Sequence, residues 1–135
     1  MTEASTGPRE RPLSPHLQVW RWHVTMLTSI LHRVTGIALY VGALLLAGWA
    51  VALASGPHAY VEYMALLSSI IGRVVLFGLT VSIFYHLANG IRHLVWDTGR
   101  GLDVKTANLT AVVVIAFSVV AAVAVWLAAS FVGAL

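Results

Sequence analysis

A chain of 135 residues that is 59% hydrophobic and 10% charged, with a mean hydropathy of +0.87, carries more apolar surface than a soluble domain of its size can bury. Its formal charge of +3 comes from basic residues scattered near the ends of apolar runs, a pattern of membrane topology rather than of a nucleic-acid patch. With no cysteine it cannot hold an iron–sulfur cluster through thiolates, form a disulfide or attach haem through C-x-x-C-H, so any redox cofactor has to be held noncovalently.

Residues 1–28 do not have the form of a signal peptide, because the apolar run starts too late and is too long for an h-region. Glu3 and Glu10 offset Arg9 and Arg11, which also argues against a mitochondrial presequence. The segment is expected to be a cytoplasmic tail and an interfacial strap, irregular around Pro12, Pro15 and His16, with Trp20 and Trp22 at the membrane surface.

Residues 29–135 form the expected membrane domain, with spans at about 29–53, 74–96 and 108–132. The first is uncharged from Val34 to Ser55 and is ended by Gly56-Pro57-His58. The stretch from Ala59 to Gly72, with Glu62, Tyr63, Ser68 and Ser69, reads as an interfacial approach to the second helix. That second span is bounded by Arg73 and Arg92, whose long side chains are expected to snorkel to the headgroups. Its uncharged part, Val74 to Ile91, gives about 27 Å of helix. A loop from Thr98 to Lys105 precedes the third span, and nothing beyond Lys105 is charged. The fold class is therefore all-α membrane protein, with three transmembrane helices and an N-terminal interfacial segment. So thin a scaffold for a buried cofactor makes a membrane partner the expectation.

Arg9, Arg11, Arg21 and Arg33 precede or open the first span, and Arg92, Arg100 and Lys105 lie between the second and third. Only Arg73 stands near the opposite side, so the N-terminus is expected in the cytoplasm and the C-terminus on the outer face. Trp20, Trp22 and Trp96 would then mark the inner interface, with Trp49 and Trp126 nearer the outer one.

His86 stands inside the uncharged second span, where an imidazole needs a partner or a ligand. His86, Gly90, His93 and Asp97 share one helical face, which Gly78 and Ser82 continue, and small residues let a second helix or a flat macrocycle approach the backbone. The ring can ligate iron, or it can simply be satisfied by a neighbouring hydroxyl or carbonyl. His93, about 10.5 Å further along the axis, is too far to bind the same iron from the other side. With Arg92 it is better placed to meet carboxylates at the membrane surface. On the first helix, Ser29, His32, Arg33 and Gly36 also share a face. A hydroxyl and a guanidinium beside apolar surface suit a quinone, whose carbonyl oxygens need donors that strengthen as negative charge develops. The plain alternative is that Ser29 caps the helix and Arg33 anchors it to phosphates.

Three segments, RPLSPHLQVW at 11–20, SILHRVTG at 29–36 and HLANGIRHLVWDTG at 86–99, resemble the signatures of the cytochrome b556 subunits of succinate dehydrogenase. These are membrane anchors of succinate:quinone oxidoreductase, and the resemblance covers about residues 11–132. Trp20 stands where many relatives have tyrosine, a change that keeps an amphipathic aromatic at the interface. The resemblance implies that His86 is an axial ligand of one haem b, that Ser29 and Arg33 belong to a quinone site, and that His32 and His93 lie near the haem propionates.

It implies as well a second small anchor subunit supplying the other axial ligand, an iron–sulfur subunit, a flavoprotein subunit that oxidises succinate, and a bacterial inner-membrane location. The chain itself would carry no catalytic residue and would not act alone. Two alternatives stand beside this expectation: the anchor of a related fumarate reductase, and a non-redox structural membrane subunit. A transporter is disfavoured, because neither an inverted repeat nor a pair of broken helices is present.

Overall fold

A computed structural model describes residues 20–133, so the strap around Pro12, Pro15 and His16 lies outside the described residues. Four helices follow in order: α1 Val24–Ala54, α2 Pro57–Ser68, α3 Ile70–Asp97 and α4 Val104–Phe131. Among the described residues, α1, α3 and α4 are long and apolar enough to cross a membrane, as the charge-free runs lead one to expect. Two of them, α1 and α3, are longer than those runs. At 31 residues α1 is about 46 Å long, against about 30 Å of hydrocarbon. It begins at Val24 after the N-cap His23, so Ser29 lies in its second turn and the capping role considered for Ser29 is excluded.

The stretch 59–72 is not a smooth lead-in to the second span. It is a separate 12-residue helix, α2, divided from α3 by Ser69 in extended conformation. The Ser69 hydroxyl donates to the Leu66 carbonyl at 2.6 Å and accepts from the Gly72 amide at 3.0 Å, closing one helix and opening the next. A Cβ on Gly72 would overlap the carbonyls of Leu66 and Leu67, so this sharp junction requires glycine. At the other end of α2, Gly56 adopts φ 106, which glycine tolerates, and Pro57 starts the helix. The Tyr63 hydroxyl donates to the Leu45 carbonyl at 2.7 Å, folding α2 back along α1.

The α3–α4 loop turns on Gly99 and Gly101, both at positive φ, and the Trp96 indole donates to the Gly101 carbonyl at 3.0 Å. Asp103 caps α4 by accepting from the Thr106 amide at 2.9 Å. Hydrogen bonding to Thr106 holds this carboxyl below its ordinary range.

Packing is inverted relative to a soluble bundle. Large side chains such as Ile70, Ile37 and Val120 point outward, while the buried face of α4 is Ala111, Val114, Ser118 and Ala122. Small residues at spacings of three and four bring helix backbones together where the solvent is lipid. The close-packing small-residue stripe is thus on α4. A Cβ added at Gly78 or Gly90 of α3 would meet no atom of another element within 4 Å among the described residues, so α3 is open at these two positions.

Candidate functional site

The N-terminal half of α1, the C-terminal half of α3 and the start of α4 meet at one end of the bundle, where the polar side chains collect. Ser82, Tyr85, Asn89 and Arg92 are the buried residues of α3. Their spacing of three, four and three makes one stripe along the helix. It points between α1 and α4.

Arg92 corrects the sequence expectation. Instead of snorkelling to headgroups or facing surface carboxylates, it is 6% exposed and spans all three long helices. Its Nε donates to Thr110 Oγ1 at 2.9 Å and its Nη2 to the Ala107 carbonyl at 2.8 Å, both on α4. Its Nη1 donates to Thr28 Oγ1 on α1 and to Asn89 Oδ1 on α3, each at 3.3 Å. The guanidinium lies 4.0 Å from the centre of the Trp96 ring, a cation–π contact. Charge-assisted hydrogen bonds and the indole face thus meet the needs of a buried cation, with no carboxylate partner among the described residues. The Tyr85 hydroxyl adds a bond to the Thr28 carbonyl at 2.7 Å. Asp97 is exposed at the end of α3 and pairs with neither Arg92 nor His93 among the described residues.

The imidazoles gather on the α1 side of this stripe. The rings of His32 and His86 stack at 3.9 Å with 11° between their planes, and His93 lies 5.4 Å from His32. His93 also meets the edge of Trp96 at 5.1 Å. Each of the three was singled out in the sequence, and α1 and α3 bring them into one row. Gly36 makes their approach possible, since a Cβ there would stand 3.2 Å from His86 Cε1.

Thr35 Oγ1 lies 3.3 Å from His86 Nδ1, the one side-chain hydrogen bond of His86 among the described residues. His86 Nε2 has no such partner among the described residues, and the residue is half-buried. His32 Nδ1, in contrast, is buried without a partner among the described residues, as is Asn89 Nδ2. Ser29 is half-buried and Arg33 exposed on the same stretch of α1, and Arg33 makes no ion pair among the described residues.

This donor set suits a b-type haem better than a bare metal ion. No group of three or more metal-binding side chains occurs among the described residues. One imidazole nitrogen without a partner among the described residues, two neighbouring histidines and an exposed arginine do match a macrocycle that needs an iron ligand and partners for its carboxylate arms. Thr28, Thr35, Tyr85, Asn89 and Thr110 were not anticipated from sequence. The polar stripe through Ser82, Tyr85, Asn89 and Arg92 was a readable signal, for polar residues at helical spacing in a span need a common partner.

A family model described as succinate dehydrogenase/fumarate reductase transmembrane subunit matches residues 7–125. The chain is 42% identical over 123 residues to the succinate dehydrogenase cytochrome b556 subunit of Paracoccus denitrificans, covering 91% of this chain and 93% of that one. It is 36% identical over 117 residues to the cytochrome b556 subunit of Rickettsia felis, covering 87% and 91% respectively. The mitochondrial succinate dehydrogenase cytochrome b560 subunit of Sus scrofa is 39% identical over 118 residues, 84% of this chain and 68% of the relative.

Proposed function

The chain belongs to the succinate dehydrogenase/fumarate reductase transmembrane subunit family, and from that premise we propose that it anchors a succinate dehydrogenase in a bacterial cytoplasmic membrane, holds one haem b jointly with a second small anchor subunit, and contributes to the site where electrons from succinate reduce a quinone. The succinate direction, rather than fumarate reduction, follows the names its relatives carry. The gathering of His32, His86 and His93, with Ser29 and Arg33 on the same stretch of α1 as His32, is the observation that carries the proposal.

With Nδ1 against Thr35, His86 would hold the haem iron through Nε2, and the second anchor subunit would supply the other ligand. His32, Arg33 and His93 would hold the propionates, whose negative charge needs donors at the membrane surface. When bound, the haem would supply a one-electron centre. Ser29 and Arg33 donate to a quinone carbonyl, and their pull on the oxygen strengthens as it gains electrons. The site opens toward the cytoplasm, from which protons reach the reduced quinone. That orientation rests on the excess of arginine and lysine at this end of the helices, with the N-terminus inside and the C-terminus in the periplasm. The full complex also holds an iron–sulfur subunit and a flavoprotein subunit, and this chain carries no catalytic group for succinate itself.

In the complete complex, Ser29→Ala and Arg33→Ala are each expected to lower succinate-driven quinone reduction about tenfold, the equivalent of about 1.4 kcal/mol of lost hydrogen bonding. Succinate oxidation by an artificial dye should stay near wild type. Unchanged quinone reduction in both variants removes these two residues from the site. A purified complex without haem would favour the structural-subunit alternative.

A further inference from the structure

The His86 ring is held on three sides. Its face lies on His32 at 3.9 Å, its Cε1 edge fits against Gly36, and its Nδ1 meets Thr35 Oγ1 at 3.3 Å. Stacking and the glycine fit restrict where the ring sits, but neither distinguishes one ring nitrogen from the other. Only the hydroxyl does.

Thr35 has a single hydroxyl hydrogen, and its oxygen lies 2.8 Å from the Leu31 carbonyl and 3.1 Å from the His32 carbonyl. Neither carbonyl can donate, so the hydrogen goes to the helix backbone, at the shorter distances. The oxygen's lone pairs are then what faces His86, and the bond runs from Nδ1–H of His86 to Thr35. A neutral imidazole with its hydrogen on Nδ1 has its lone pair on Nε2, which is the form that binds a metal through Nε2. The opposite tautomer would force Thr35 to give up the 2.8 Å bond to Leu31 in order to donate across the helix interface.

We propose that Thr35 is a positioning residue for His86: accepting Nδ1–H, it fixes the tautomer and ring orientation that leave Nε2 free to ligate haem iron. This rests on the assignment of His86 as haem ligand made above. A hydroxyl acceptor behind a ligating imidazole raises the ring's basicity and so favours ferric iron, by less than a carboxylate would. Removing it should therefore raise the haem midpoint potential and loosen the haem.

The test uses the assembled, purified complex with Thr35→Val, which keeps the shape of the side chain, Thr35→Ala, and Thr35→Ser, which keeps the hydroxyl. A potentiometric titration of the haem reads the potential, and a haem-transfer assay reads retention. Val and Ala are expected to shift the potential positive and to release haem about 10- to 100-fold more readily. Ser should restore both. A wild-type potential in either the Val or the Ala variant overturns the proposal, even if the other fails to assemble, and so does a Ser variant that behaves like Val. His86→Ala run alongside separates the two claims. Wild-type spectrum and potential in that variant remove the ligand assignment itself; an altered His86→Ala beside unaltered Thr35 variants removes only the role of Thr35.

Discussion

The two ends of this bundle use the same helices and are built on opposite principles. At the end formed by the start of α1 and the close of α3, the helices are joined by hydrogen bonds to Arg92, Tyr85 and Thr28. At the other end an apolar groove of about 490 Å³ is lined by Leu39, Leu46, Trp49, Leu76 and Leu79 among others, and α3 is tied to α4 by the Trp126 indole on Thr80 at 3.1 Å. Lipid tails are as apolar as leucine, so burying leucine contributes little that the bilayer does not already supply. Polar partners are different, because a group without one in hydrocarbon is strongly destabilised. The polar end therefore fixes how the helices meet, and that is where a cofactor would need fixed geometry.

Breaking Arg92 should show this contrast at its largest. Arg92→Ala leaves Asn89 Oδ1 without its donor and removes the link among α1, α3 and α4. A loss of about 3 kcal/mol is expected, less than the sum of the broken bonds because a buried charge also disappears. It would be read as a lower thermal midpoint of the complex in detergent. Arg92→Lys should not restore it, since an ammonium group cannot copy a planar fork reaching acceptors on three helices. Stability unchanged in Arg92→Ala would mean that the polar end does not hold the bundle.

The matching change at the apolar end is much milder. Trp126→Phe keeps an aromatic ring against Phe77, 5.4 Å away in the present structure, and loses one neutral hydrogen bond. Thr80 keeps its bond to the Leu76 carbonyl. About 0.6 kcal/mol is the expected loss, in the same thermal measurement. An effect equal to that of Arg92→Ala would erase the distinction between the two ends.

Sequence reasoning and structure part company where a role depends on a second helix. The three spans, and the helix faces that carry His32, His86 and His93, were legible because a charge-free run and a helical spacing are local facts. Arg92 ends such a run, which ordinarily marks a headgroup anchor, whereas its partners Thr28 and Thr110 stand 64 and 18 residues away. Thr35 lies within the SILHRVTG segment, yet its meaning appears only when α3 brings His86 across 51 residues of chain. The break between α2 and α3 depends on Ser69 and on the tight fit at Gly72, neither of which alters the hydropathy pattern that defines a span.

The central claim is that the polar end holds a haem through His86. It is tested most directly by the reduced-minus-oxidised spectrum of the purified complex carrying His86→Ala. Because His32 stacks on that ring at 3.9 Å, a companion complex carries His32→Ala as well, so that the neighbouring imidazole cannot take its place. The b-type bands and midpoint potential should change in the single variant, and the bands should be lost in the double variant. Wild-type bands and potential in both would contradict the account.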